Sequence, residues 1–383
     1  GSLSKVPALS ISVMLLAIFL ITRRKWFWLF CLSFVFVWLY GGFLLILIAT
    51  GVFAFFEFVY GRLARTQKLK KHRHHGFNIP DWLAGSLASL AGLACGLVLN
   101  PYFPQNLMFY WDQVVEIGVI NYQKIIGVGG EWYPYMFSEL LSSTVFVWIL
   151  VVTAITLSII HWKKITAENL ALLVLASFFF VFTLKSKRYV EYFVPFTILW
   201  ASVAIRDAAP FLNWPAIRDL LKEFYTKQFS LAWVVIVYFA VGLPVLGFMH
   251  VRAAKISLDS GYPIAKFQAA GEWLATYSQP GQVIFHNDWD DFPILYFYAP
   301  RAAYIIGLDP TFMYKFSPNL YWEWNNIVTG SLSVAVYESI KYNFKGDYVF
   351  VDSEHQFFEN NLKRDPRFLP VYQDFEARIY KVL

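Results

Sequence analysis

Apolar runs of close to bilayer-crossing length recur through the first 250 residues of this chain, and no soluble architecture needs that many. Against the roughly 20 apolar residues a helix uses to cross a membrane, the runs near Ala8–Thr22, Trp26–Tyr40, Gly42–Tyr60, Trp82–Leu99, Thr144–Ile160, Leu170–Leu184, Tyr189–Ile205 and Leu231–Met249 read as eight candidate spans. Several are short, so their ends must extend into the interface or be shielded by neighbouring helices. Composition agrees: 58% of the residues are hydrophobic, 20% aromatic and 15% charged, against about a quarter charged in soluble domains. The expected fold class is therefore a multispan α-helical membrane protein of about eight helices.

The net charge of +6 does not indicate a nucleic-acid partner, because the basic residues cluster in short loops flanking apolar runs. Those loops set a topology. Arg23-Arg24-Lys25, the stretch Arg62 to Arg73, Lys163-Lys164 and the connection Arg206 to Lys227 fall on one face if the spans alternate, and that face is cytoplasmic by the positive-inside rule. The Gly41-Gly42 turn, the long loop 100–143, the turn Lys185 to Arg188 and everything after Met249 are then external, in a cell inner (plasma) membrane. Both termini come out external, which for a chain that enters the membrane almost at once leads us to expect further sequence upstream.

Cys31 and Cys95 lie inside apolar runs and offer neither a disulfide framework nor a metal-ligand spacing. The histidines His72, His74 and His75 sit among lysines and arginines without an acidic partner before Asp81, so that loop reads as topogenic and lipid-facing rather than metal-binding. Ile217, Leu220, Leu221 and Phe224, separated by charges, make an amphipathic surface helix over about 215–225. The membrane domain is taken as residues 1–250.

From 251 to 383 the composition changes. Strand-like segments Gln282–His286, Ala302–Ile306, Asp347–Val351 and Ala377–Val382 alternate with helical patterns at Ile264–Tyr277, Asp291–Tyr298, Leu320–Thr329 and His355–Arg364. The expectation is a C-terminal extracytoplasmic α/β domain with its own core.

Three segments carry a resemblance: Asn100-Pro101-Tyr102-Phe103-Pro104, the run from Lys185 through Ser186, Lys187, Arg188, Tyr189, Val190, Glu191, Tyr192 to Pro195, and His286-Asn287-Asp288-Trp289-Asp290-Asp291-Phe292-Pro293. In their order and placement they resemble bacterial membrane glycosyltransferases of the C-type (GT-C) superfamily, which includes protein O-mannosyltransferases, aminoarabinose transferases and oligosaccharyltransferase catalytic subunits. The chain is similar to the later part of such an enzyme. The resemblance implies transfer of a sugar from a polyprenyl-phosphate-linked donor to an external acceptor that is protein, glycan or lipid. The principal acid of the family lies in a first external loop, and no segment here matches it. That implies a main catalytic acid outside this chain, which alone could then be inactive.

Lys185, Lys187 and Arg188 are the candidate clamp for the donor phosphate, since arginine offers a planar fork to phosphate oxygens and lysine a mobile point charge. Three cations on the external face oppose the topology signal; the competing reading is interfacial snorkelling. Glu191 and Tyr192, one turn later, could orient the cluster. In the long external loop, Glu131 follows Gly127-Val128-Gly129-Gly130 and precedes Trp132-Tyr133, a stretch suited to closing over a substrate, similar in placement to the mobile glutamate loop of oligosaccharyltransferases. Asp288, Trp289, Asp290 and Asp291 are candidates for binding acceptor or sugar, with helix capping the equal alternative. The family's tryptophan-tryptophan-aspartate motif is represented by one tryptophan only. No cofactor is implied with certainty; a divalent cation at His286 and the aspartates is a minor alternative. A transporter fits poorly, the spans being nearly free of charge apart from Glu57. A noncatalytic polyprenyl-lipid-binding scaffold or accessory subunit with an external binding domain is the alternative function.

Overall fold

The computed structural model describes residues 6–67, 80–227, 233, 237–259, 263 and 265–383. The chain is about 70% helical and carries one small C-terminal sheet. It divides into two compact units, one of residues 2–114 with 131–259, the other of residues 115–130 with 260–383. The long loop is therefore shared out: its middle belongs to the α/β unit.

The helical unit contains α1 (Val6–Thr22), α2 (Trp26–Leu39), α3 (Leu44–Gln67), α4 (Asp81–Val98), α5 (Gln105–Trp111), α6 (Phe137–Ser143), α7 (Val145–Ile160), α8 (Ala167–Lys185), α9 (Val190–Ala208) and α10 (Trp214–Lys227), followed by a helix at Leu243–Asp259. Among the described residues three helices are long and apolar enough to cross a membrane: Leu44–Arg62, Asp81–Val98 and Ala167–Lys185. Helices α6 and α7 are bent by 86° against each other and pass the same test as a pair. Helices α1 and α2 are apolar but shorter, and α9 carries Glu191, Arg206 and Asp207 at its ends. Residues 231, 232 and 234–236 of the expected eighth run, and residues 68–79 with the three histidines, lie outside the described residues. The expected amphipathic segment is helical as α10.

Why α2 and α4 pack closely is legible in α4. Gly92 and Gly96 lie one turn apart, and a Cβ on either would collide with the carbonyl oxygens of Phe30 and Phe34, so their smallness is what lets the backbones meet. The indole of Trp38 donates to Gly96 O at 2.8 Å. Helices α8 and α9 form an antiparallel pair joined by Ser186 and a single 3-10 turn, Lys187–Tyr189. The rings of Phe179 and Tyr192 stack across it at 5.0 Å, and Trp200 donates to Asn169 Oδ1 at 3.0 Å.

In the α/β unit, β1 (Val283–His286), β2 (Ala303–Tyr304), β3 (Tyr348–Asp352), β4 (Phe368–Gln373) and β5 (Ala377–Val382) form a sheet in the order β2-β1-β3-β5-β4. β1 is parallel to both β2 and β3; β5 is antiparallel to β3 and to β4. Strand residues alternate between two cores. Phe285, Val349 and Val351 join Ile327, Phe358 and Ile126 on one side, while Ile284, Phe350 and Ile379 join Ala270, Leu274 and Leu295 on the other. The segment 115–130 is tied to this unit by Glu116, which accepts from Lys315 Nζ at 2.9 Å and from the Tyr122 hydroxyl at 2.7 Å.

Candidate functional site

The α8–α9 turn and the loop after Gly130 form one corner of the helical unit. Ser186 is fully buried in extended conformation at the end of α8, and its hydroxyl donates to Glu131 O at 2.9 Å. One residue on, the Lys187 amide donates to Tyr133 O at 2.9 Å. Two main-chain carbonyls of the loop are thus stitched to two consecutive residues of the turn. The side chains follow: Arg188 Nη1 meets Glu131 Oε1 at 2.5 Å, and Lys187 Nζ lies 3.2 Å from both oxygens of Glu139. Each cation also faces an aromatic ring, Arg188 that of Trp132 at 4.8 Å and Lys187 that of Tyr135 at 5.2 Å. Lys185 ends α8, where a cation meets the negative pole of the helix.

Arg188 is the better buried of the pair, at 25% side-chain exposure against 36% for Lys187. Burial works against its charge, but Tyr40 and Glu131 more than offset this and raise its pKa. Arg188 therefore remains a guanidinium under all working conditions. Burial likewise pushes the Tyr189 phenol up to about 12. The Tyr192 hydroxyl donates to Ser10 Oγ at 2.7 Å; Tyr40 is hydrogen-bonded to both Tyr192 and Arg188. Tyr192 thus touches the guanidinium through Tyr40. Tyr40 and Ser10 had no signal in the sequence, because nothing in the spacing of an apolar helix says which hydroxyl will face a turn 150 residues away. Glu191 opens α9 in its first turn.

No protein-family model matches the sequence, and no curated protein matches it.

The second candidate segment leaves the carboxyl end of β1. Asp288 accepts from the Asp290 amide at 3.1 Å and so caps the short turn Trp289–Asp291. Trp289 is half-buried against the core and Asp290 is exposed. Asp291 is 1% exposed, and its Oδ2 has no hydrogen-bond partner. His286 is fully buried, with Nδ1 at 2.7 Å from Asp288 O. A carbonyl can only accept, so Nδ1 carries the hydrogen; burial lowers the pKa of this imidazole to about 4, and it is neutral at physiological pH. Among the described residues no group of three or more histidine, cysteine or acidic side chains is arranged to hold a metal ion.

Asp352, His355 and Asn287, none of them marked as a site candidate in the sequence, complete this end of the sheet. Asp352, the last residue of β3, accepts at Oδ1 from the amides of Glu354 and His355 and lies 2.7 Å from His355 Nδ1. Asn287 Oδ1 accepts from the Asp352 amide at 3.1 Å, so its Nδ2 is the atom 2.9 Å from the same Nδ1. The carboxylate raises the pKa of His355 and is itself held below its ordinary value, chiefly by His355 against the opposing effect of burial. Only folding brings Asn287 and His355, 68 positions apart, into one cluster.

Proposed function

We propose that the chain is part of an integral-membrane glycosyltransferase that moves a sugar from a polyprenyl-phosphate-linked donor to an acceptor on the extracytoplasmic face. The eight-span topology, with the α8–α9 turn and the α/β unit outside, is part of that reading. One observation carries it: Arg188, a half-buried permanent cation braced by Trp132 and Tyr40, is paired with Glu131.

That pair has the makings of an exchange. A phosphate offers more acceptor oxygens and more charge than a carboxylate, so an incoming donor headgroup replaces Glu131 on the guanidinium. Glu131, released beside the bound sugar, then accepts the proton of the acceptor hydroxyl. The acceptor oxygen bonds to the sugar carbon, and the bond from that carbon to phosphate oxygen breaks, its electron pair leaving with the phosphate. Attack from the face opposite the leaving group inverts the carbon. Arg188, with Lys185 and Lys187, stabilises the charge that grows on the departing lipid phosphate.

The test separates the two roles. In nanodiscs, Arg188→Ala should weaken binding of undecaprenyl phosphate by at least about tenfold, a loss of roughly 1.4 kcal/mol, while Arg23→Ala changes it little. Glu131→Gln removes the competitor for Arg188. It should leave lipid binding equal or tighter while cutting sugar transfer by about 10²–10⁴-fold, the range of a lost general base. Equal effects of Arg188→Ala and Arg23→Ala on binding would remove the donor site.

A further inference from the structure

β1 is flanked by β2 on one side and β3 on the other, both parallel to it. The connection from β1 to β2 runs through helix Phe292–Tyr298, packed on one face, and that from β2 to β3 through helix Pro318–Val328, packed on the other. The sheet order therefore reverses between β1 and β3, and the crevice beyond the carboxyl ends of two such strands is where open α/β sheets bind ligands. Asn287, Asp288 and Asp291 enter it from β1, and Asp352 and His355 from β3. Asp291 is buried there with Oδ2 unpartnered, its carboxyl in the field of Asp288, Asp352, Lys266 and His355. His355 is 29% exposed at its side chain; its Nδ1 is taken, and among the described residues nothing meets Nε2.

Asp352 and Lys266 also line a cavity of about 260 Å3, with Pro263, Phe267, Ser353, Glu354, Phe375 and Glu376. It is bounded by the end of β3, the turn between β4 and β5, and the segment before helix Gln268–Tyr277. At the turn, Phe375 is 87% exposed, although nothing about a hairpin tip requires an aromatic residue. The volume falls just below the range of roughly 300–1,000 Å3 typical of pockets for drug-sized ligands, and suits one small ring.

We infer that this crevice and its adjoining cavity bind a sugar ring, with Phe375 stacking on its apolar face and His355 Nε2, Ser353 and Glu354 meeting its hydroxyls. Hydroxyls both donate and accept, and the cluster supplies both kinds of partner in a small space: carboxylates, an imidazole, a hydroxyl and an ammonium. A purely cationic ligand would leave the imidazole and Lys266 opposed. The inference rests on the α/β unit alone and is independent of Arg188.

The full chain in lipid nanodiscs, probed by saturation-transfer NMR with the methyl glycosides of mannose, N-acetylglucosamine, glucose and arabinose, tests it. At least one glycoside should give a saturable signal. Phe375→Ala, a surface change that leaves the core intact, should weaken it about tenfold, and His355→Gln several-fold. Glu272→Gln, on an exposed helix face, should leave it unchanged. No saturable signal from any glycoside, a signal that survives both Phe375→Ala and His355→Gln, or saturation by spermidine in place of the sugars would each overturn the assignment.

Discussion

Asp291 shows at the scale of one residue how a fold makes chemistry out of an ordinary side chain. Burial, reinforced by Asp288 and Asp352, raises its pKa to about 8, whereas in an unfolded chain an aspartate ionises near 3.9. Between those values unfolding releases a proton, so the α/β unit loses stability as pH rises through this window and not as it falls. Asp291→Asn, which keeps the shape and removes the ionisation, should therefore raise the thermal midpoint at pH 8 by about 2–8 °C and change it much less at pH 4.5. Scanning fluorimetry at the two pH values checks it; equal shifts at both would refute the account. His355 acts in the same direction. Its raised pKa contributes stability below about pH 6.5 that disappears as pH climbs through the folded value.

At the scale of elements, the helix pairs explain what a sequence can and cannot announce. Apolar runs mark the positions of α1 to α4 and α7 to α9 because each is a continuous apolar stretch of helical length. They did not give the partners. The close approach of α2 and α4 depends on Gly92 and Gly96 meeting Phe30 and Phe34, and a glycine in an apolar run has no mark that distinguishes an interface from a lipid-facing side. Gly92→Ala should cost about 1–3 kcal/mol, the scale of overpacking in a tight core, read as a lower melting temperature in detergent; Gly51→Ala, which meets open space, serves as the comparison and should be near neutral. In the sheet, the expected strands correspond to β1, β2, β3 and β5, but β4 was missed. Pro370 interrupts its pattern, and the strand accommodates it because β4 lies at the sheet edge with a register shift at Pro370/Tyr372. Asp309 caps the helix Pro310–Phe316 by accepting from the Thr311 amide at 2.8 Å. The cations of the α8–α9 turn were legible because they cluster at the end of an apolar run. Their pairing with Glu131 and Glu139 was not, since it depends on how a long loop folds back.

For the whole molecule, the segment 115–130 matters most, because it belongs to the α/β unit while the residues on either side of it belong to the helical unit. Ile126 is 3% exposed in the same core as Phe285 and Val349. Ile126→Ala should destabilise the α/β unit by about 2–4 kcal/mol, measured as a lower urea midpoint for its near-ultraviolet circular dichroism. Unchanged unfolding would mean that the segment is a passenger.

That insertion governs any attempt to excise the C-terminal part. A piece cut at residue 260 loses Ile126 and the Glu116 partner of Lys315, which leaves a gap in its hydrophobic interior and removes an ion pair. A soluble version needs 115–130 stitched back on, and a protease that severs the backbone near 260 would still leave the two halves of that interior gripping each other.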